Sequence, residues 1–263
     1  MRTGSPRPAQ PRPRPSPVRG AAPRRILRPR QIEGQELDLD AVITTRADLA
    51  ATGRGCDRIY RSLRQTDRDL SVAFLLDCSR SAEAAVGEHT VIDVAREALA
   101  ALAGGIDAAG DRLGIWGFSS LRRDRVFQHR AKRFDEPHGP EVTQRICGLR
   151  PGHYTRLGAA IRHVSAKLAK ETSTHRPLIV LTDGKPNDLD HYEGIHGIED
   201  SHMAVREARR QGQSVHGIVI DEDGQDWFSR IFGRGGFSLL RDPERLARAL
   251  PDIYRNLTIG DIA

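Results

Sequence analysis

The chain has 263 residues, with 41 Lys+Arg against 35 Asp+Glu, but the positive excess sits at one end. Residues 1–30 carry nine Arg, eight Pro and no acid, which leaves 32 cations against 35 acids, a net of −3, over residues 31–263. No apolar run approaches the ~18 residues that span a bilayer, and the three scattered cysteines, Cys56, Cys78 and Cys147, exclude a disulfide framework and paired metal-ligand spacing.

Residues 1–30 cannot bury enough apolar surface to offset their chain entropy, and read as a disordered Pro/Arg-rich tail. Arg24-Arg25 ahead of Ile26-Leu27 lacks the hydrophobic core of an export signal, so export is not expected, and the cysteine pattern makes a reducing cytoplasm the expected compartment. Residues 31–69 form a lead-in, with weak alternation over 36–43 and a short helix over 41–50. Leu70–Leu76 is a continuous apolar strand, the pattern of a parallel sheet covered on both faces, and it ends in Asp77. Residues 90–109 have helical spacing, with Thr90 or Glu88 at the start. RLGIWGFSS is a second buried strand and RVFQHR an edge strand. Helices are expected over 139–149 and from Thr155 to Lys170, and Pro177–Thr182 is a third buried strand ending in Asp183-Gly184. After a long polar loop over 184–200 come a helix at 200–211, a strand at 215–220, a helix near 225–232, a strand at 237–240 and a last helix from 243 to 257. Strands and helices alternate, which predicts an α/β, doubly wound, mostly parallel sheet over residues 70–258 with helices on both faces.

Five oxygen-bearing residues mark the expected carboxyl edge of that sheet. They are Asp77, Ser79 and Ser81 in LLDCSRS, Thr155 in GHYTRLG, and Asp183 in LTDGKPND. Ligands of open α/β sheets bind at this edge. Two Asp, two Ser and one Thr supply hard oxygens with little formal charge, as Mg²⁺ prefers, and leave a position for water or an incoming carboxylate. Singly, each has a plainer reading: an Asp that caps a turn, serines that form turns, a Thr at a helix N-cap. Together, in order and in fitting context, they specify a metal site.

Other features are weaker. His191, His196 and His202 with Asp190 could hold iron or zinc, but their spacing matches no ligand motif, and a solvated loop that rims the first site explains them better. Gly117-Phe118-Ser119-Ser120 fails the nucleophile-elbow pattern because Leu121 replaces its last glycine. No phosphate-binding loop occurs, so an ATPase is not expected. Cys78 should point away from the metal and be buried. The tail has no aromatic residue to stack on bases, so it supports nonspecific attraction at most.

The five-residue pattern resembles the metal-ion-dependent adhesion site of von Willebrand factor type A domains. The flanking segments LTDGKPNDLDHYEGIHGIEDSHMAVREARRQG, GFSS, FDEP, LRPGHYTRLGAAIRH and FGRGGF resemble the carboxyl-terminal region of the NorD-type nitric oxide reductase activation family, over roughly residues 31–258. By that resemblance Asp77, Ser79, Ser81, Thr155 and Asp183 hold Mg²⁺, with Mn²⁺ or Ca²⁺ as alternatives. The implied role is non-enzymatic: an adaptor that works with a MoxR-type AAA+ ATPase to activate a client, nitric oxide reductase, by insertion of non-haem iron. A Rubisco-activating adaptor of the same type, a metal-dependent hydrolase using the loop histidines, and a non-functional fragment are the alternatives. Family members usually carry a long, mainly helical region upstream. Here a Pro/Arg tail stands in its place, which leaves a truncated member, a split-gene product and a stand-alone domain all open.

Overall fold

The computed structural model describes residues 24–66, 69–86, 89–220 and 227–260. The chain divides into two compact units, Met1–Thr66 and Asp67–Ala263.

The first unit holds strands β1 (Arg24–Gln31) and β2 (Glu36–Leu37), helix α1 (Leu39–Thr52) and strand β3 (Tyr60–Thr66). The strands form an antiparallel sheet in the order β1-β3-β2. The tail expected over 1–30 is therefore corrected at its end, because residues 24–30 lie in β1; residues 1–23 fall outside the described residues. Pro29 donates no amide hydrogen to the ladder, and the pairing slips between Arg28 and Gln31. The density of Arg and Pro around Ile26-Leu27 hid this strand. Helix α1 begins two residues earlier than expected and ends at Gly53, whose φ of 70° suits glycine.

The second unit contains, in chain order, β4 (Ser71–Asp77), β5 (Ala85–Val86), β6 (His89–Thr90), α2 (Val91–Ala108), β7 (Arg112–Ser120), β8 (Val126–Lys132), α3 (Pro140–Cys147), α4 (Leu157–Leu168), β9 (Pro177–Thr182), α5 (Gly194–Arg210), β10 (Ser214–Ile220), α6 (Trp227–Phe232), β11 (Phe237–Leu240) and α7 (Leu246–Gly260). Six strands form one sheet in the order β11-β10-β9-β4-β7-β8. All neighbours are parallel except β8, an antiparallel edge strand.

Alternate side chains of each central strand enter different cores, as the two-residue period of a strand requires. Val72, Phe74 and Leu76 of β4 pack with α2, α3 and α7, while Ala73 and Leu75 pack with α4, α5 and α6. Every residue of β4 and β9 is buried, which explains why both read as unbroken apolar runs. Helix α2 starts at a reciprocal cap: Asp93 N donates to Thr90 Oγ1 at 3.4 Å, and Thr90 N donates to Asp93 Oδ2 at 3.2 Å.

Helix α5 corrects the expected 200–211 span, since it starts at Gly194. Its first turns are rich in Gly, His and Asp, which mask the helical period. Gly197 is there for packing: a Cβ at this position would lie 2.8 Å from Pro186 O.

Candidate metal centre

The chain leaves β4 toward β7 and β8 and returns to β9 on the other side of β4, so a crevice opens between the carboxyl ends of β4 and β9. Asp77 is the last residue of β4, and Asp183 directly follows β9. The turn after β4 folds back because Ser79 N donates to Asp77 Oδ1 at 2.9 Å. That bond sets Ser79 and Ser81 on the same side as Asp77. Cys78 turns the other way and is fully buried, as expected, with Sγ 3.6 Å from Leu76 O. Burial pushes its thiol up to about 12, and the neighbouring Asp77 charge adds to the shift. Gly117 gives it room, since a Cβ there would lie 2.8 Å from Cys78 Sγ.

Thr155 arrives on a loop tied down along its length. Gly152 N donates to Cys78 O at 2.8 Å and Arg80 N to His153 O at 3.1 Å. Tyr154 and Ser120 exchange two backbone bonds of 2.8 Å. Thr155 N donates to Asn187 O at 2.8 Å, and Asn187 N to Thr155 O at 3.0 Å. Thr155 is thus no N-cap; α4 begins at Leu157, two residues later than expected.

The five expected residues form one hydrogen-bonded network. Thr155 Oγ1 lies 3.3 Å from Asp77 Oδ2 and 3.4 Å from Asp77 Oδ1. Ser79 Oγ and Ser81 Oγ are 2.9 Å apart, and Ser81 Oγ donates to Asp183 Oδ1 at 3.0 Å. Asp77, Ser79 and Thr155 are buried, whereas Ser81 is exposed and Asp183 half-buried. The site therefore has a closed floor and an open rim. Burial raises the Asp77 carboxyl above its ordinary value, and hydrogen bonds from Thr182, Ser79 and Thr155 oppose the rise. These donors are neutral hydroxyls and an amide, so none cancels a negative charge on Asp77. Two carboxylates and three hydroxyls, with no nitrogen or sulfur among them, fit a hard cation such as Mg²⁺.

Two further residues complete the surroundings: Thr182, which sequence reasoning missed, and Asp188, which it placed only on a solvated loop. Thr182 Oγ1 donates to Asp77 Oδ2 at 2.8 Å. The only sequence signal was a threonine closing an apolar run. Asp188, whose side chain is fully enclosed, accepts from Ser120 Oγ at 2.8 Å, Arg122 N at 2.8 Å, Leu189 N at 2.7 Å and Arg156 Nε at 3.2 Å. Arg156 also pairs with Asp190 and lies 4.3 Å from the centre of the Tyr192 ring. Tyr192 OH donates to Asp200, and burial followed by that carboxylate raises the phenol's pKa. The stretch expected as a solvated loop is thus pinned through Asp188 and Tyr192, although His191 and His196 on it are exposed. Asp190 is engaged by Arg156 and by Arg123 N at 2.9 Å. Among the described residues no group of three or more His, Cys, Asp or Glu is gathered so that it could hold a metal ion. Among the described residues no helix is long and apolar enough to cross a membrane.

The sequence model of the von Willebrand factor type A domain matches residues 71–245. "Protein NorD" of Brucella suis biovar 1 (strain 1330) is 48% identical over 234 residues, 89% of this chain and 37% of that protein. "Protein NorD" of Stutzerimonas stutzeri is 41% identical over 219 residues, 82% of this chain and 36% of that protein. The chain thus spans little more than a third of the length of these curated relatives. Among solved structures, the PilB minor pilin of Streptococcus sanguinis superposes with a TM-score of 0.61 at 16% identity, covering 79% of this chain and 66% of the pilin. The vWF domain of the type V pili tip protein Mfa5 of Porphyromonas gingivalis gives a TM-score of 0.54 at 13% identity, covering 73% of this chain and 95% of that one. At these identities the structural likeness concerns the fold alone.

Proposed function

Because the chain belongs to the von Willebrand factor type A domain family, in a form of the NorD type, we propose that it is a metal-dependent protein-binding adaptor. Asp77, Ser79, Ser81, Thr155 and Asp183 would hold Mg²⁺, with Mn²⁺ or Ca²⁺ as substitutes. When bound, the cation supplies a positive coordination position for a carboxylate of a partner protein. The chain's own residues prepare that position. Ser79 N and Thr182 Oγ1 orient the Asp77 carboxylate, and the Thr155–Asn187 bridge holds Thr155 beside it. The exposed Ser81 and half-buried Asp183 leave the rim accessible. The chemistry assigned to this chain is coordination, not turnover.

The observation that carries this reading is the continuous Thr155–Asp77–Ser79–Ser81–Asp183 network around a carboxylate served by neutral donors. The NorD likeness supports an accessory role. Within that role we assign the partner as a MoxR-type AAA+ ATPase, the client as nitric oxide reductase awaiting its non-haem iron, and the location as cytoplasmic. The test is affinity capture with tagged chain, in Mg²⁺ and in chelator, read by mass spectrometry. The expected result is an AAA+ ATPase retained by the wild type in Mg²⁺, lost in chelator and lost with Asp77→Ala. Equal retention by a folded Asp77→Ala variant would overturn the reading. Co-captured Rubisco in place of the reductase would move the client assignment to the related adaptor class.

A further inference from the structure

A cleft of about 1150 Å³ opens beside edge strand β8, between α3 and α4 and away from the five metal-site residues. Its walls carry six cations, Arg130, Arg133, Arg145, Arg150, Lys167 and Lys170, against two acids, Asp135 and Glu171. Both acids are already engaged: Asp135 with Arg133 at 3.0 Å and Glu171 with Arg112 at 2.6 Å. Arg145 pairs with Glu136. Among the described residues no ion pair neutralises Arg130, Arg150, Lys167 or Lys170, and all four are exposed. The concentration is local, because residues 31–263 carry a net charge of −3. Such a basic cleft focuses potential on an incoming anion. His163, also on the cleft wall, is held below its ordinary pKa by burial and by the Lys167 charge.

Two features specify what kind of anion fits. Strand β8 pairs with β7 alone among the described residues, so its outer edge has no strand partner, and on that strand Arg145 Nε donates to Ala131 O at 2.8 Å. Gln128 of β8 lines the cleft, and its buried amide nitrogen and oxygen both lack a hydrogen-bond partner. A carboxamide offers both a donor, its NH₂, and an acceptor, its carbonyl oxygen. A peptide unit presents the complementary acceptor and donor, whereas a phosphate backbone presents acceptors only.

We infer that the cleft along β8 is a docking groove for an acidic polypeptide segment, laid against the open strand edge with its carboxylates on Arg130, Arg150, Lys167 and Lys170. Strand addition supplies the main-chain bonds, and the basic side chains select the partner. This binding needs no metal, so it is separable from the proposed cation site.

The experiment uses the full chain and a fluorescein-labelled deca-glutamate peptide. Hydrogen exchange is followed in Val126–Lys132, and affinity is followed by anisotropy. The expected results are slowed exchange in β8 on adding peptide, equal binding in Mg²⁺ and chelator, and an affinity about tenfold weaker in Lys167→Glu/Lys170→Glu. The basic residues 1–30 contribute equally to both chains, so the difference isolates the cleft. Both lysines are exposed, so an unchanged melting temperature should confirm that the variant folds. Peptide binding without protection of β8, or with equal affinity in the variant, would overturn the inference. So would tighter binding of single-stranded RNA or anionic vesicles at the same cleft.

Discussion

Thr182 Oγ1 lies 2.8 Å from Asp77 Oδ2, so the last residue of β9 orients the carboxylate that ends β4. The bond crosses the crevice between two parallel strands and fixes one face of the proposed cation site. Thr182→Val keeps the shape and removes the donor. Magnesium affinity should fall about tenfold, the equivalent of one buried hydrogen bond to a charged group. Calorimetric titration with MgCl₂ checks this, and an unchanged affinity would remove Thr182 from the site.

Metal should also stabilise the fold by mass action. At a hundredfold excess over Kd, Mg²⁺ adds ~2.7 kcal/mol, which raises the melting temperature by about 5–10 °C for a domain of this size. Chelator should abolish the rise, and Asp77→Ala should show none. A full Mg²⁺ shift in Asp77→Ala would place the ion elsewhere.

Arg156 follows Thr155 and supplies the counter-charge for Asp188, whose side chain is fully enclosed. Arg156→Ala leaves that carboxylate with three neutral donors and removes the stack on Tyr192. The expected loss is about 3 kcal/mol, characteristic of stripping one partner from a buried pair. Arg156→Lys should recover little, because a single ammonium cannot reach both Asp188 and Asp190 and stack as well. Urea denaturation measures both, and a loss below ~1 kcal/mol for the alanine variant would contradict the anchor role.

The pH dependence has a defined sign at His216. This ring joins β10 to β11 through Ser238 Oγ at 2.9 Å, and burial, then the Arg209 charge, hold its pKa below 6.5. The unfolded chain therefore binds the proton first as pH falls. The stability contribution is present above pH 6.5 and is lost as pH drops from there through the lowered folded value. His163 is shifted in the same direction and shares the window. His216→Gln should flatten the stability–pH slope below pH 6.5 by up to ~1.4 kcal/mol per pH unit. Denaturation curves collected from about pH 5 to pH 8 would show it, and an unchanged slope would assign the acid sensitivity to other groups.

The sequence by itself determined the alternation of strands and helices, the burial of β4 and β9, and five residues that the structure joins in one network. These are local properties: apolar runs read as strands covered on both faces, helical spacing marks the helices, and the chain order of Asp77, Ser79, Ser81, Thr155 and Asp183 carries the site pattern. Only the tertiary structure decided what depends on neighbours distant in sequence. Strand β1 exists because β3 pairs with it, and no composition average over an Arg/Pro segment reveals a partner 29 to 42 residues away. The 184–193 stretch is polar in sequence yet pinned in space, because Asp188 meets Ser120 and Arg156 only once β7, α4 and the end of β9 converge. Thr182 ended an apolar run on the page and became a donor to Asp77 across the crevice. The basic cleft follows the same logic: its cations come from β8, α3, α4 and the segments that follow them, and cations dispersed along residues 31–263, whose net charge is −3, become a patch only where folding gathers them.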